Sequence, residues 1–341
     1  MPQLDRHTPL GSFPFWRPLL ALILPILFLV GCQGAPSIMA PATPGARSIS
    51  DLGWILFWMA LPVFLIVEGL LIYAVIKFRS RGDREEPRQV FGHTRLEVAW
   101  TAAPGLVLIG VLFVTFQTMA SYLQPPPDTL RLHVIAHQWW WEIRYPDLGV
   151  VTANEIHVPT GKAVTVDLTS ADVIHSFWAP ELGGKMDVIP GHDNQTWFQT
   201  ERDGVFRGFC AEFCGAQHAN MGFLVVSEPA EEFEAWVKNE QAEARTPASD
   251  LARAGEQAFI ASGCGACHTI AGTRAQGKVG PNLTHVGGRR MIAANVLENT
   301  PENMARWIAD PQGLKPGNFM RTPPLSDETV QQLTAYLEGL K

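Results

Sequence analysis

Polar and apolar positions divide this chain into stretches of different period. Residues 19–30, LLALILPILFLV, form an unbroken apolar run after Arg6 and Arg17. Such a run suits the core of an export signal and is shorter than the ~20 residues that cross a bilayer. It ends at Leu29-Val30-Gly31-Cys32, small residues before a cysteine, as at a bacterial lipoprotein processing site. A signal over 1–31 and a lipid anchor at Cys32 are the expectation, against the plainer reading of an uncleaved apolar N-terminus. Residues 32–50, small and Pro-rich, read as a linker. Within 51–124 lie two apolar stretches, about Leu52–Ile76 and about Val98–Tyr122, each long enough to span. Lys77, Arg79, Arg81, Arg84, Arg88 and Arg95 lie between them, which predicts a cytoplasmic loop and a multi-pass hairpin. Everything after Tyr122 is then on the outer face. Glu68 falls mid-span, where a carboxylate is costly unless it faces another subunit or is protonated.

After Pro125-Pro126-Pro127 the period becomes two. Leu130–Ala136 and Lys162–Thr169 alternate, and Gln195–Thr200, Val205–Phe209 and Gly222–Ser227 are further strand candidates. Gly183-Gly184 and Pro190-Gly191 mark turns. An all-β sandwich or Greek-key barrel over 125–228 is predicted. Residues 229–248 follow, where Glu231, Glu232, Glu234, Glu240 and Glu243 outnumber Lys238 and Arg245. They read as a solvated acidic helix and linker. Residues 249–341 read as helical: a helix over about Leu251–Ala261, a start at Thr300-Pro301, and a Ser326-capped helix burying Val330, Leu333, Leu337 and Leu340.

Composition changes this picture in two respects. The 341 residues suit two or three domains, and 17% charged residues fit a membrane-bound part beside exported ones. A net charge of −7 without a basic stripe excludes nucleic acid as a partner. The five cysteines include two close pairs, each with histidine nearby, which suggests cofactor attachment.

The first pair lies in Cys210-Ala-Glu-Phe-Cys214-Gly-Ala-Gln-His218-Ala-Asn-Met221. Thiolate with imidazole selects copper, and a thioether is a weak axial copper ligand. One blue copper needs one cysteine; two on one loop can bridge two metals. Each metal then needs its own nitrogen, one from His218 and the other from another strand end, best from His175 in Asp172-Val-Ile-His-Ser-Phe-Trp178. A disulfide and a Cys₂His₂ zinc site are the competing readings.

The second pair lies in Cys264-Gly-Ala-Cys267-His268, the attachment pattern of haem c: two thioethers to the porphyrin and a histidine under the iron. A thioredoxin-like Cys-x-x-Cys would need a βαβ context, which is absent. Met291, Met304 and Met320 are candidates for the sixth ligand. Met304 shares a helical face with Trp307 and Ile308, which favours packing.

The copper-type segment resembles the CuA loop of cytochrome c oxidase subunit II. The order of two spans, a cupredoxin-like domain and a class I cytochrome c domain resembles the caa-type bacterial form, which carries its cytochrome c fused. The resemblance implies Cys210 and Cys214 as bridging thiolates, His175 and His218 as nitrogen ligands, and Met221 as axial thioether. It implies Glu212 as a carbonyl ligand whose carboxylate also serves a magnesium or manganese site shared with subunit I. His137-Gln-Trp-Trp-Trp141 resembles the aromatic run of that family, with Trp140 where tyrosine is usual, and makes Trp139 the residue where electrons enter; edge packing of amphipathic rings is the plainer reading. Glu97-Val-Ala-Trp-Thr-Ala-Ala-Pro104 resembles the start of the second span, where the glutamate serves proton uptake; a helix-start acid is the plainer reading. Lys315-Pro-Gly-Asn-Phe-Met320 resembles the loop of the axial ligand, although Arg321 stands where proline is usual. The implied partners are subunits I and III and a cytochrome c or membrane-bound reductase as donor, at a bacterial cell membrane with both redox domains outside. A CuA-bearing nitric oxide reductase subunit and a free-standing electron carrier are the rival functions.

Overall fold

Residues 35–79, 89–120 and 124–341 are described in the computed structural model. The leader-type run 19–30, Cys32, the cations Arg81, Arg84 and Arg88, and Tyr122 lie outside the described residues.

Two long helices, α1 (Pro44–Lys77) and α2 (Thr94–Ala120), are apolar enough to cross a membrane, and none of the side chains in their most apolar stretches is buried. That is the pattern of a surface facing hydrocarbon. Helix α1 begins at Pro44 rather than near Leu52 because Thr43 caps it: its hydroxyl accepts from Ala46 N and donates to Leu182 O at 2.8 Å. Ala42 N bonds Glu181 O at 2.8 Å, and Glu201 N bonds Ala42 O at 3.0 Å. The segment read as a linker is therefore partly fixed against the β-domain.

That domain contains ten strands: β1 (Leu130–His137), β2 (Trp140–Tyr145), β3 (Val150–Ala153), β4 (Glu155–Pro159), β5 (Ala163–Ser170), β6 (His175–Trp178), β7 (Met186–Val188), β8 (Asn194–Gln199), β9 (Gly204–Cys210) and β10 (Gly222–Glu228). They form two five-stranded sheets, ordered β3-β2-β1-β5-β8 and β4-β10-β9-β6-β7. Pairs β1/β5 and β4/β10 are parallel, the other pairs antiparallel. Alternate residues of β1 (Leu132, Val134, Ala136) and β5 (Val164, Val166, Leu168) point inward and are fully buried. Trp141 of the first sheet meets Phe177 and Phe223 of the second at ring distances of 5.7 and 5.5 Å.

Helix α3 (Ala230–Glu240) carries the acidic run, and here the structure departs from the solvated reading. Phe233, Trp236 and Val237 lie at i, i+3 and i+4, one stripe of a helix, and Phe233 and Val237 are buried in the sandwich core. Trp236 stacks on His157 at 4.4 Å. The C-terminal domain contains α4 (Asp250–Ala261), a short hairpin β11 (Met291–Ile292) and β12 (Leu297–Glu298), α5 (Pro301–Ala309), α6 (Pro311–Leu314) and α7 (Asp327–Gly339). Thr300 and Ser326 cap α5 and α7 through Asn303 N and Thr329 N. At Gly255 helix α4 crosses α7 so closely that a Cβ would stand 2.0 Å from Gln332 O.

His157 sits between two carboxylates, Nδ1 on Glu228 at 2.9 Å and Nε2 on Glu155 at 3.0 Å. Burial alone would lower its pKa, but the bonds to Glu155 and Glu228 outweigh it and raise it above the ordinary histidine value. The raised folded value means that protonation is tighter in the native state than in the unfolded chain. The contribution is complete below about pH 6.5, the unfolded value, and fades as pH rises through the folded one. Thermal unfolding followed by circular dichroism should show this loss between mildly acid and alkaline buffers. His157→Gln should flatten it, and an equally steep profile in that variant would remove His157 as its source.

Candidate redox centres

The copper-type residues gather at one end of the second sheet. Strand β9 ends at Cys210, β10 begins just after Met221, and the loop between them is closed by Cys210 N to Met221 O at 2.9 Å. Strand β6 begins at His175 and pairs beside β9, with Ala211 N bonding Ser176 O at 2.9 Å. Pairing thus brings a histidine 35 residues upstream to the loop.

Cys210 Sγ and Cys214 Sγ are 3.7 Å apart, far beyond the ~2.05 Å of a disulfide. His175 Nδ1 is 3.9 Å from Cys210 Sγ, while His218 Nδ1 is 3.7 Å from Cys214 Sγ. Met221 Sδ lies 3.7 Å from Cys214 Sγ, and Glu212 O lies 3.1 Å from Cys210 Sγ. His175, Cys210 and Cys214 have their donor atoms within 4.8 Å of one another, and His218 stands outside that cluster. One tetrahedral ion with bonds of about 2.3 Å would hold all four donors ~3.8 Å from one another. Two bridged metals, with one histidine each, fit this spread better.

Asp172 Oδ1 accepts from His175 Nε2 at 2.8 Å, which leaves Nδ1 free toward the sulfurs. Burial raises Asp172, but bonds from His175, Gln138 N and Val173 N outweigh it and hold the carboxyl low. The hydrogen bond from Cys214 pulls the Cys210 thiol far down, so one thiolate is favoured even before any metal binds. The spacing showed the sulfurs and His218; Asp172, three residues before His175, went unread as its partner.

The haem-type residues line a cavity of about 630 Å³. Cys264, Cys267, His268 and Met320 face it among apolar side chains, within the ~300–1,000 Å³ typical of cofactor sites. His268 Nδ1 donates to Pro281 O at 2.8 Å, which leaves Nε2 available as a ligand. Burial lowers the His268 pKa, which favours the neutral, ligating form. Gly280 packs so near that a Cβ would come 2.6 Å from the ring. The Met320 backbone is held on both sides, its N by Asn318 Oδ1 at 2.7 Å and its O by Gln312 Nε2 at 2.9 Å. Met304 also borders the cavity but is 2% exposed within the domain core. Met291 lies in β11.

Trp139 lies between the two sets. Its Nε1 donates to Cys214 O at 3.0 Å, and its ring stacks on Phe319 at 5.4 Å. Gln138 Nε2 donates to the same carbonyl at 2.7 Å. Lys315 Nζ bonds Trp139 O at 2.9 Å, and burial pushes that lysine down to about 7. The sequence marks Lys315 and Phe319 only as part of the Met320 loop, since nothing local signals a contact 176 residues away. Glu97, in the first turn of α2, accepts from His93 N at 3.1 Å, far in sequence from either cluster.

The chain matches the family described as cytochrome C oxidase subunit II, transmembrane domain, over residues 35–118, and its periplasmic domain over 150–228. It matches cytochrome c over 252–341. It is 38% identical to cytochrome c oxidase subunit 2 of Alkalihalophilus pseudofirmus over 92% of this chain and 94% of that one. The chain belongs to the cytochrome c oxidase subunit II family. It is 37% identical to the Bacillus subtilis member over 96% of this chain and 98% of that one. A solved periplasmic domain of subunit II from Bradyrhizobium japonicum is 34% identical, covering 35% of this chain and 97% of that chain, with a TM-score of 0.34. Membership implies CuA copper in the β-domain, haem in the C-terminal domain, a membrane anchor and an electron-transfer role. The donor atoms described above fit both groups.

Proposed function

We propose that this chain is the electron-transfer subunit of an aerobic terminal oxidase of the caa type, carrying electrons from haem c to CuA and on to subunit I. There oxygen is reduced to water with proton translocation. When bound, the two centres supply successive one-electron couples. Cys264 and Cys267 would hold the haem covalently, with His268 and Met320 as its axial ligands. Cys210 and Cys214 would bridge two coppers, with His175 and His218 as nitrogen ligands, Met221 as axial thioether and Glu212 as carbonyl ligand. The Glu212 carboxylate would also serve a magnesium or manganese ion shared with subunit I. Trp139 would be where electrons enter the copper domain, and Glu97 would take up protons from the cytoplasmic side. Subunit III completes the complex, and a cytochrome c or membrane-bound reductase supplies electrons. The hairpin spans a bacterial cell membrane with both redox domains outside, and Cys32 is the proposed lipid anchor.

One observation carries this reading: a thiol pair 3.7 Å apart, flanked by one imidazole nitrogen on each side, in a chain that also carries a haem-type cavity bordered by Trp139. Purification from native membranes with a metal and haem count tests it. Two coppers and one haem c per chain are expected, together with a haem-bearing membrane subunit. If no such subunit accompanies the chain, the complex is ruled out.

A further inference from the structure

Trp139 is 7% exposed, and the surface over it belongs in part to the loop that carries Met320. Four contacts join that loop and the neighbouring β11–β12 turn to the copper domain. Lys315 Nζ donates to Trp139 O at 2.9 Å and, within its own domain, to Ala293 O at 3.1 Å. Phe319 lies over the Trp139 ring with 22° between the planes. Gln217, next to His218, donates to Pro316 O at 2.5 Å. Gly222 N, next to Met221, donates to Ala294 O at 3.0 Å.

The choice of lysine is informative. Lys315 is 4% exposed, and its amine meets two backbone carbonyls. Burying an amine costs free energy that an apolar side chain of similar length would avoid. Bulk stability therefore does not explain it; placement does. The turn it grips is strained as well: Ala293, Ala294 and Asn295 have φ of 55°, 60° and 66°. Non-glycine residues in that region cost on the order of 1–3 kcal/mol each and persist only where their surroundings impose them. Here the carbonyls of Ala293 and Ala294 bond Lys315 and the copper domain.

We propose that Lys315 and Phe319 are positioning residues that hold the Met320 loop against Trp139, so that electrons cross between the two centres of this chain through the Phe319–Trp139 ring contact. The inference rests on the reading of Trp139 given above. One electron leaves the haem side and one arrives on the copper side; no bond forms or breaks and no proton moves. From Trp139 the route continues through the Nε1–H···O bond to Cys214, a thiolate of the copper site.

The test uses the intact oxidase carrying Lys315→Met, Lys315→Arg, Phe319→Leu, Phe319→Trp or Trp139→Leu. Three quantities are read: the haem-to-copper rate after flash reduction, the potentials of both centres, and amide hydrogen exchange over residues 138–141 and 315–320. Lys315→Met and Phe319→Leu should slow transfer by between about tenfold and about a hundredfold, the scale on which small misplacements cost positioned reactions. Spectra and potentials should stay as in the parent, exchange should quicken in Lys315→Met, and Lys315→Arg and Phe319→Trp should restore most of the rate. Unchanged rates in Lys315→Met and Phe319→Leu would overturn the proposal, as would slowing matched by a shifted haem potential. If Lys315→Met does not assemble, Phe319→Leu decides alone. Slowing in Trp139→Leu with full speed in the other two removes this inference and leaves the role of Trp139 standing. Full speed in Trp139→Leu removes the reading beneath it.

Discussion

Cys210→Ser should abolish the dinuclear copper signature and leave the haem absorption intact. The two thiols are 3.7 Å apart, each beside its own imidazole nitrogen. If both thiolates are shared, one unpaired electron spreads over two metals and gives a multiline magnetic signal with near-infrared absorption. A serine hydroxyl does not ionise near neutral pH and is a hard donor, so it replaces neither the charge nor the softness of the thiolate. The remaining donors, Cys214, His175, His218 and Met221, make the two-histidine, one-cysteine set with a thioether that suits a single copper of the blue type. Copper content should fall from two to at most one per chain. A multiline signal that survives the substitution would show that Cys210 is no bridge. The C-terminal domain has its own core around Phe259, Ile270, Leu333 and Tyr336, so haem attachment gives an internal control for folding.

Met320→Ala should leave the haem attached through Cys264 and Cys267 and remove the sulfur-to-iron band at the red edge of the visible spectrum. Methionine ligation raises the potential of a histidine-bound haem. Its loss should lower the potential by on the order of 0.1 V, a fraction of the ~0.8 V that axial ligands command. Met304→Ala gives the contrast. That side chain is 2% exposed in the domain core, so its truncation should cost about 2–5 kcal/mol of stability and spare the band. The reverse outcome would exchange the two assignments, and a band that survives both would point to Met291.

Alternation of apolar and polar residues marked β1 and β5, and β8, β9 and β10 were legible as further strand candidates between turn residues. Strands β4 and β6 escaped because every residue but the last in each is buried, so neither shows a period of two. Charge hid the packing of α3: Glu231, Glu232 and Glu234 are exposed, but three apolar side chains make a stripe narrow enough to pass unnoticed. The small residues before α1 had no local reason to be ordered. Their partners, Glu181, Leu182 and Glu201, lie far along the chain. The redox residues were legible to the extent that they sit on one loop each. Cys210, Cys214, His218 and Met221 declare themselves by spacing, and so do Cys264, Cys267 and His268. His175 was legible as the best strand-end candidate, and the pairing of β6 with β9 is what brings it to the loop. Lys315 and Phe319 needed the packing of two domains, which no window of sequence contains.

The contacts over Trp139 have a kinetic meaning. A separate donor must find the copper domain by diffusion, at a rate set by its concentration and by ionic strength. Here the partner is covalently joined and already seated, by carbonyl bonds and ring overlap rather than by paired surface charges. On the proposed route the internal step is first order: it should be indifferent to dilution and nearly indifferent to salt, as fits a joined pair whose effective concentration is set by the chain. On that route salt sensitivity would belong to the arrival of the proposed external donor at the C-terminal domain, so exchanging that domain's outer surface should change which donors are accepted without retuning the copper end.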